Sequence, residues 1–231
     1  MDRDLGAATT VKSITAIVPV RKGSVRVKNK NLKPFAGKTL LQIKIEQLKQ
    51  VSSIDRIVVS SDCDEMLQLA TSLGVETHRR DEYYASSEAT NSEFFEDLGR
   101  SIDGEYLMYS PVTCPLISLE TYHDCIKTFK EDPEVTNLVT VSPVKHHLWL
   151  DGKPLNYDVE NSPNSQDLPD IYAVTYGVCI VSKEDMMGCR NVVTSNPTFK
   201  ILDEIESVDI DTEFDFMVAE VIYNKIYGDL N

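Results

Sequence analysis

Along the 231-residue chain, short apolar runs alternate with longer segments whose apolar residues recur every three to four positions. Ile14 to Val20 (ITAIVPV) is β-branched and apolar and ends in a Gly- and Lys-rich stretch, the pattern of a buried strand feeding a loop. Leu40, Leu41, Ile43, Ile45 and Leu48 follow Thr39 at roughly helical spacing. The unit then repeats. Arg56 to Ser61 (RIVVSS) predicts a second buried strand, and Asp64 to Leu73 a helix stopped by Gly74, a residue that accepts the left-handed cap conformation. Val75 to His78 predicts a third short strand, Arg79 to Ala89 has no clear period and predicts a loop, and Asn91 to Ile102 predicts a helix. A strand at Glu105 to Tyr109, a helix at Ser118 to Lys130 and a strand at Leu138 to Ser142 continue the series. Strands alternating with helices at this spacing predict an α/β fold: a mostly parallel sheet covered on both faces and wound in right-handed crossovers.

The rhythm breaks after Val144. Lys145 to Tyr172 holds the one Trp, several Pro, an Asp151-Gly152 turn signal and the polar run ENSPNSQD. It predicts a hairpin plus a long loop, an excursion (145–172) suited to a dimer interface or to acceptor contacts. The sheet is expected to resume at Ala173 to Val181 and near Phe199 to Ile210, before a last amphipathic helix at Glu213 to Ile226. Length and the absence of internal repeats favour a single domain over residues 1–231.

Hydrophobic residues at 42% and charged residues at 26% exclude wholesale disorder and a disulfide-dense miniprotein. The five cysteines form no C-x-x-C pair and have no histidines at metal spacing, which predicts reduced thiols packed as small hydrophobes. Met1 to Thr10 has no apolar run fit for a signal peptide, and no span approaches the ~20 apolar residues of a membrane helix, so a cytoplasmic setting is expected. The formal charge of −14 argues against nucleic-acid and membrane-surface partners, which need a cationic footprint. The charge is unevenly spread, however. Val11 to Ile45 holds nine Lys/Arg and no acid, a positive island that implies a small anionic ligand.

Inside that island, Arg21-Lys22-Gly23-Ser24 and the residues up to Lys33 follow directly on the first strand. In an open α/β sheet, ligands sit beyond the carboxyl ends of the strands. Gly23 would let backbone N–H groups approach an anion closely, and the Lys/Arg side chains supply counter-charge, which suits a polyphosphate. The stretch is neither a Walker A loop nor a dinucleotide G-x-G-x-x-G, and a solvated basic turn is the competing reading. A second signal is Val208-Asp209-Ile210-Asp211-Thr212-Glu213-Phe214-Asp215. On a strand with alternating faces, Asp209 and Asp211 point the same way and suit Mg²⁺, which takes one or two carboxylates plus substrate phosphates. Alternatively Thr212 and Asp215 open the last helix as a capping box, an account that leaves Asp209 without a role.

Four segments together resemble one family. VPVRKGSVRVKNKNL is similar to I-P-A-R-x-G-S-x-R-x-x-x-K-N-L, and IVVSSDCDEMLQLATSLGVE to I-V-V-S-T-D followed by a helix. RDEYYASSEATNS, from Arg80, is similar to R-P-x-x-L-A-x-D-x-A-x-x, and SVDIDTEFDFMVAE to I-D-I-D-T-x-x-D-x-x-x-A-E. The family is that of the CMP-sialic acid synthetases (acylneuraminate cytidylyltransferases), relatives of the CMP-3-deoxy-octulosonate synthetases. The resemblance implies a Rossmann-like three-layer sandwich of the nucleotide-diphospho-sugar transferase type. It also implies CMP transfer from CTP to a small acidic acceptor, with release of pyrophosphate, in glycan or capsule precursor synthesis. By resemblance, Arg21, Ser24, Lys30 and Asn31 hold the triphosphate, and Arg21 and Lys30 offset charge on the leaving pyrophosphate. Arg80 and Asn91 contact cytosine and ribose, Asp209 and Asp211 carry Mg²⁺, and the protein is a homodimer. No base is singled out for the attacking hydroxyl, Asp211, a metal-bound hydroxide and solvent all being admissible.

The acceptor half of the site departs from the family. Where the family shows Q-P-T-S-P-L-R, this chain has Ser110-Pro111-Val112-Thr113-Cys114-Pro115-Leu116-Ile117, without the Gln and the Arg. Pro154 to Ser182 contains no Lys or Arg, so the arginines that would grip a sugar-acid carboxylate are missing. Lys145, His146, His147 and Lys153 are the candidates to replace them. A non-sialic acceptor such as a phosphonate, and a non-catalytic homologue serving as a dimer partner, are the alternatives.

Overall fold

The computed structural model describes residues 12–24 and 26–228. The polar start Met1 to Thr10, Val11, and Val25 of the basic loop lie outside the described residues. In chain order the elements are β1 (Ile14–Pro19), β2 (Pro34–Phe35), β3 (Lys38–Thr39), α1 (Leu40–Lys49), β4 (Arg56–Ser61), α2 (Asp64–Ser72) and β5 (Glu76–Arg79). There follow α3 (Glu82–Ala85), α4 (Asn91–Ser101), β6 (Tyr106–Tyr109), α5 (Leu119–Glu131), β7 (Asn137–Pro143), β8 (Trp149–Leu150) and β9 (Lys153–Pro154). The last are β10 (Tyr172–Ser182), α6 (Lys183–Cys189), β11 (Thr198–Ile201) and α7 (Glu213–Tyr227).

Seven strands form the central sheet in the order β11-β7-β10-β6-β1-β4-β5. All run parallel except β10, which is antiparallel to both β6 and β7. The first strand is buried along nearly its whole length, as its uninterrupted apolar run requires of a central parallel strand. On one face of the sheet α1, α2, α5 and α7 contribute Leu41, Met66, Phe129 and Phe216 to one apolar cluster; on the other, α4 and α6 contribute Phe95, Leu98 and Met186 to a second. This is the three-layer α/β arrangement expected. The chain leaves β1 toward β4 and β5, then crosses back to β6 on the other side of β1, which makes the carboxyl end of β1 the switch point where such sheets bind ligands.

Local chemistry accounts for the helix starts. Thr39 caps α1, Ser118 caps α5, and Thr90 with Glu93 closes a capping box on α4. The segment expected as a loop between Arg79 and Ala89 contains the end of β5 and the one-turn α3, which Asp81 caps. The excursion contains the expected hairpin, β8 with β9, and its Asp151-Gly152 turn has positive φ at both residues (49° and 75°). Of the thiols, Cys114, Cys125 and Cys179 are buried, whereas Cys189 is exposed, against the expectation that all pack as hydrophobes. Among the described residues no helix is long and apolar enough to cross a membrane.

One expected strand is corrected. Near Phe199 to Ile210 only Thr198–Ile201 pairs in the sheet. Asp203 stops it: its carboxylate accepts from the backbone N–H of Ile205 and Glu206 (2.9 and 2.8 Å), a local turn that lifts the chain off the sheet edge. The segment from Val208 to Asp211 therefore runs over the carboxyl ends of the strands, held by the buried Ile210 and by its N–H to Thr113 O (2.9 Å).

A second irregularity lies in β10, whose register against β7 shifts between Val174 and Cys179. Gly177 sits in this bulge, and a Cβ added there would overlap Cδ1 of the buried Ile117. Gly177→Ala is expected to cost about 1–3 kcal/mol in urea unfolding. Gly188→Ala, in α6 with nothing near the added methyl, should stabilise by up to about 1 kcal/mol through helix propensity. Equal effects at the two glycines would contradict this packing.

Candidate active site

A cleft of about 640 Å³ opens at the carboxyl ends of the parallel strands. Its lining includes Arg21, Ser24, Lys30, Asn31, Arg80, Asn91, Asp209 and Asp211, so that eight of the nine expected site residues converge from segments far apart in sequence. Gly23 is the exception: it is exposed on the rim, its φ is ordinary, and a Cβ there would meet no protein atom. Any need for glycine at that position comes from a ligand and not from the fold.

The basic loop is held in place by its own backbone. Asn31, buried, donates from Nδ2 to Arg21 O (2.9 Å) and accepts through its own carbonyl from Leu41 N (3.2 Å), which ties the loop to the start of α1. The Arg21 guanidinium donates to the carbonyls of Ala85 and Ser86 (2.9 and 3.2 Å), and the buried Arg80 donates to Val20 O, with its guanidinium 5.0 Å from the Phe94 ring. Among the described residues the buried Arg80 Nε meets no partner, an unmet donor at the cleft.

Opposite the loop, the acidic segment meets it at three points. Lys30 Nζ donates to Ile210 O (2.5 Å), Arg26 pairs with Asp211 (2.7 Å), and Lys33 pairs with Glu213 (2.5 Å). Thr212 and Asp215 do form a capping box, and Asp215 also accepts from Asp211 N (3.1 Å). Capping and the carboxylate pair thus coexist: the cap orients the start of α7 and leaves both Asp209 and Asp211 lining the cleft. They do so from an extended segment above the strand ends and not from a sheet strand, which corrects the alternation argument.

Asp209 is open to the cleft but flanked by protein on its other sides. Desolvation raises its pKa, the Thr113 hydroxyl opposes that shift, and the like charge of Asp211 adds to it. The Lys30 ammonium is lowered by desolvation and supported by Asp209 and Asp211. Two neighbouring carboxylates lining a cleft, one held by the exposed Arg26 and the other beside Lys30, are a hard-oxygen donor set that fits a small divalent cation completed by substrate phosphates. Among the described residues no group of three or more His, Cys, Asp or Glu is placed to hold a metal by protein ligands alone.

Lys145, His146, His147 and Lys153 do not line the cleft. Lys145 is engaged by Leu168 O and Asp170, and His147 by Pro163 O (3.0 Å) and the edge of Tyr157, all within the excursion. Lining residues that sequence reasoning missed are Arg26, Tyr84, Phe94, Tyr109, Thr113 and Tyr176. For Tyr176 a signal existed: a glycine beside it inside a strand pattern marks a bulge.

A basic loop at the switch point of a doubly wound sheet, faced by a carboxylate pair, defines a nucleotidyltransferase-type α/β protein. Comparison with known proteins narrows the class. Residues 15–167 match the family model described as Cytidylyltransferase, and the chain belongs to that family. It is 25% identical to the post-translational flagellin modification protein B of Campylobacter coli over 93% of this chain and 97% of that protein. It is 24% identical to the N-acylneuraminate cytidylyltransferase of Escherichia coli O18:K1:H7 over 92% of this chain, and spans about half (52%) of that longer relative. Among solved structures, CMP:2-keto-3-deoxy-manno-octonic acid synthetase complexed with CTP has a TM-score of 0.71 at 11% identity, covering 93% of this chain and all of that one.

Beneath the cleft lies a buried cation. The Lys44 ammonium, fully enclosed, donates to Cys114 O (2.8 Å), Tyr122 Oη (2.6 Å) and Gln47 Oε1 (2.9 Å), and Tyr122 in turn meets Ser110 Oγ (2.8 Å). This network tethers the loop that brings Pro111 to Thr113 into the cleft. It also accounts for Ser110 in place of the family's Gln, since its side chain turns into the core. Desolvation lowers Lys44 from 10.5 to about 8. Because the folded pKa lies below the unfolded one, the unfolded chain binds more protons between those values, and stability from this group rises as pH climbs through the window. Urea unfolding of the wild type and Lys44→Met should therefore diverge in favour of the wild type by about 2 kcal/mol between pH 7 and pH 10. A constant difference would refute the buried, depressed ammonium.

Proposed function

We propose that this protein transfers CMP from CTP to a hydroxyl of an ulosonic-acid acceptor, with release of pyrophosphate. One observation carries the reading: the Arg21–Lys33 loop and the Asp209/Asp211 pair clasp each other along one wall of a single cleft at the carboxyl ends of the strands. Such a transfer depends on alignment and charge neutralisation more than on covalent help from the protein.

In this account Arg21, Ser24, Lys30 and Asn31 bind the triphosphate, with the Gly23 backbone open at the rim. The Arg21 guanidinium, fixed by two carbonyls, and the Lys30 ammonium, fixed by Ile210 O, are oriented before the ligand arrives. Both meet negative charge as it grows on the departing pyrophosphate. Arg80 and Asn91 hold the cytidine end. Asp209 and Asp211 would hold Mg²⁺, which when bound would supply neutralisation of phosphate charge. Arg26 then exchanges Asp211 for a phosphate oxygen. The N-acylneuraminate cytidylyltransferase, matched over 92% of this chain, supports a sugar-acid acceptor.

The excursion supports a homodimer: Trp149, Leu150, Leu155 and Val159 are each more than half exposed, an apolar area that a second copy of the chain would cover. Free thiols, three of them buried, and dependence on CTP support a cytoplasmic setting.

Pyrophosphate release from CTP and Mg²⁺ should be detected with at least one acid from a panel of sialic, other nonulosonic and 3-deoxy-octulosonic acids, with phosphonates as the contrasting class. Asp211→Ala should lose at least about a hundredfold in kcat while its unfolding midpoint stays near that of the wild type. Silence across the panel with CTP binding retained would overturn the catalytic reading, and turnover of phosphonates alone would overturn the acceptor class. Sedimentation velocity checks the dimer, a monomer at micromolar concentration being the contrary result.

A further inference from the structure

The cleft has two unlike walls. One carries the charges of Arg21, Arg26, Lys30, Asp209 and Asp211. The other is a ladder of rings. It starts at the Arg80 guanidinium on Phe94 and continues through Phe94 and Phe95 (centroids 5.2 Å apart), Phe95 and Tyr109 (5.4 Å) and Tyr109 and Tyr176 (6.5 Å).

Tyr176 ends the ladder in a backbone conformation that bulky residues rarely adopt, with φ of +56°. Such strain persists only where the surroundings over-determine it, and it concentrates at functional sites. Here they do. The Thr140 hydroxyl accepts from Val178 N (3.0 Å) and meets Thr175 Oγ1 (2.9 Å), and Gly177 packs against Ile117 where no Cβ fits. Together these hold the bulge in β10 that turns the Tyr176 side chain to the cleft, a known use of bulges beside active sites. Burial raises the phenol pKa, so the ring is neutral at physiological pH.

Position decides what the ring meets. The residues assigned to CTP follow β5 and β1, whereas Tyr176 lies on β10, beyond β6, on the other side of β1 from β4 and β5. Pro154 to Ser182 brings no Lys or Arg to that side of the cleft, so β10 offers an acceptor an aromatic face in place of a cation. Rings of this kind take up methyl, methylene and acyl groups and gain little from a solvated hydroxyl.

Resting on the cytidylyl-transfer reading, we propose that Tyr176 is a specificity-determining residue. Its ring, backed by Tyr109, seats the apolar substituents of the acceptor, so that the protein selects ulosonic acids bearing N-acyl and terminal deoxy (methyl) groups over fully hydroxylated ones.

The test compares kcat/KM for three acids of rising apolar character: 3-deoxy-octulosonic acid, N-acetylneuraminic acid, and a di-N-acyl nonulosonic acid ending in a methyl group. The wild type should prefer them in that order, the last by at least about tenfold over the first. Tyr176→Asn removes the ring while placing a residue that tolerates the left-handed backbone, so the fold should be kept. It should flatten the preference by about tenfold and leave the KM for CTP unchanged, whereas Tyr176→Phe should retain the preference. A wild type that favours the hydroxylated acid, or a Tyr176→Asn variant that keeps the wild-type order, overturns the inference and leaves cytidylyl transfer standing. Failure of every acid overturns both.

Discussion

The site depends on a clasp between two segments of opposite charge about 180 residues apart. Lys30 reaches Ile210 O, Arg26 reaches Asp211, and Lys33 reaches Glu213. Its contribution to stability is small, because exposed ion pairs are worth about 0.2–1 kcal/mol each and Arg26 and Asp211 are well exposed. The fold rests instead on burial of Ile210 in the core and on the edge-to-face packing of Phe35 with Phe216, which fix the acidic segment independently of its charges. The clasp therefore acts on function. It holds cations and carboxylates side by side along the cleft, within reach of one ligand.

That division explains why the whole-chain charge misleads. A formal −14 describes the solvated shell, whereas Arg21, Arg26 and Lys30 from the basic stretch Val11 to Ile45 line the cleft, and the eight acids of Ile201 to Asn224 include the pair that lies beside them. Behind the wall, Lys44 does a different job. A buried ammonium with no carboxylate partner is tolerable because three acceptors surround it, and two of its contacts hold the loop from Ser110 to Ile117. Rigid support beneath a mobile ligand is what a reaction governed by alignment needs.

The α/β order, the hairpin turn and the Thr212–Asp215 cap were legible because each rests on local chemistry, in apolar runs, a turn dipeptide and cap residues; Arg80 and Asn91 were legible only through the segments that resemble the family. The sheet position of Asp209 and Asp211 was not. Alternation of Val208, Asp209, Ile210 and Asp211 reads as a strand, but the turn set by Asp203 carries them off the edge, and no period within the segment records that. Tyr176 escaped for a related reason. Its orientation follows from a register shift set by Thr140 on a neighbouring strand, a contact to Val178 across 38 positions that spacing within β10 does not encode.

A crystal structure with CTP and Mn²⁺ in place of Mg²⁺ tests the central claim most directly. The account predicts anomalous density for the metal between Asp209, Asp211 and the phosphates, with Arg21 and Lys30 on the triphosphate and Arg26 released from Asp211. A nucleotide bound elsewhere, or an Arg26–Asp211 pair that survives with the metal on other ligands, would contradict it.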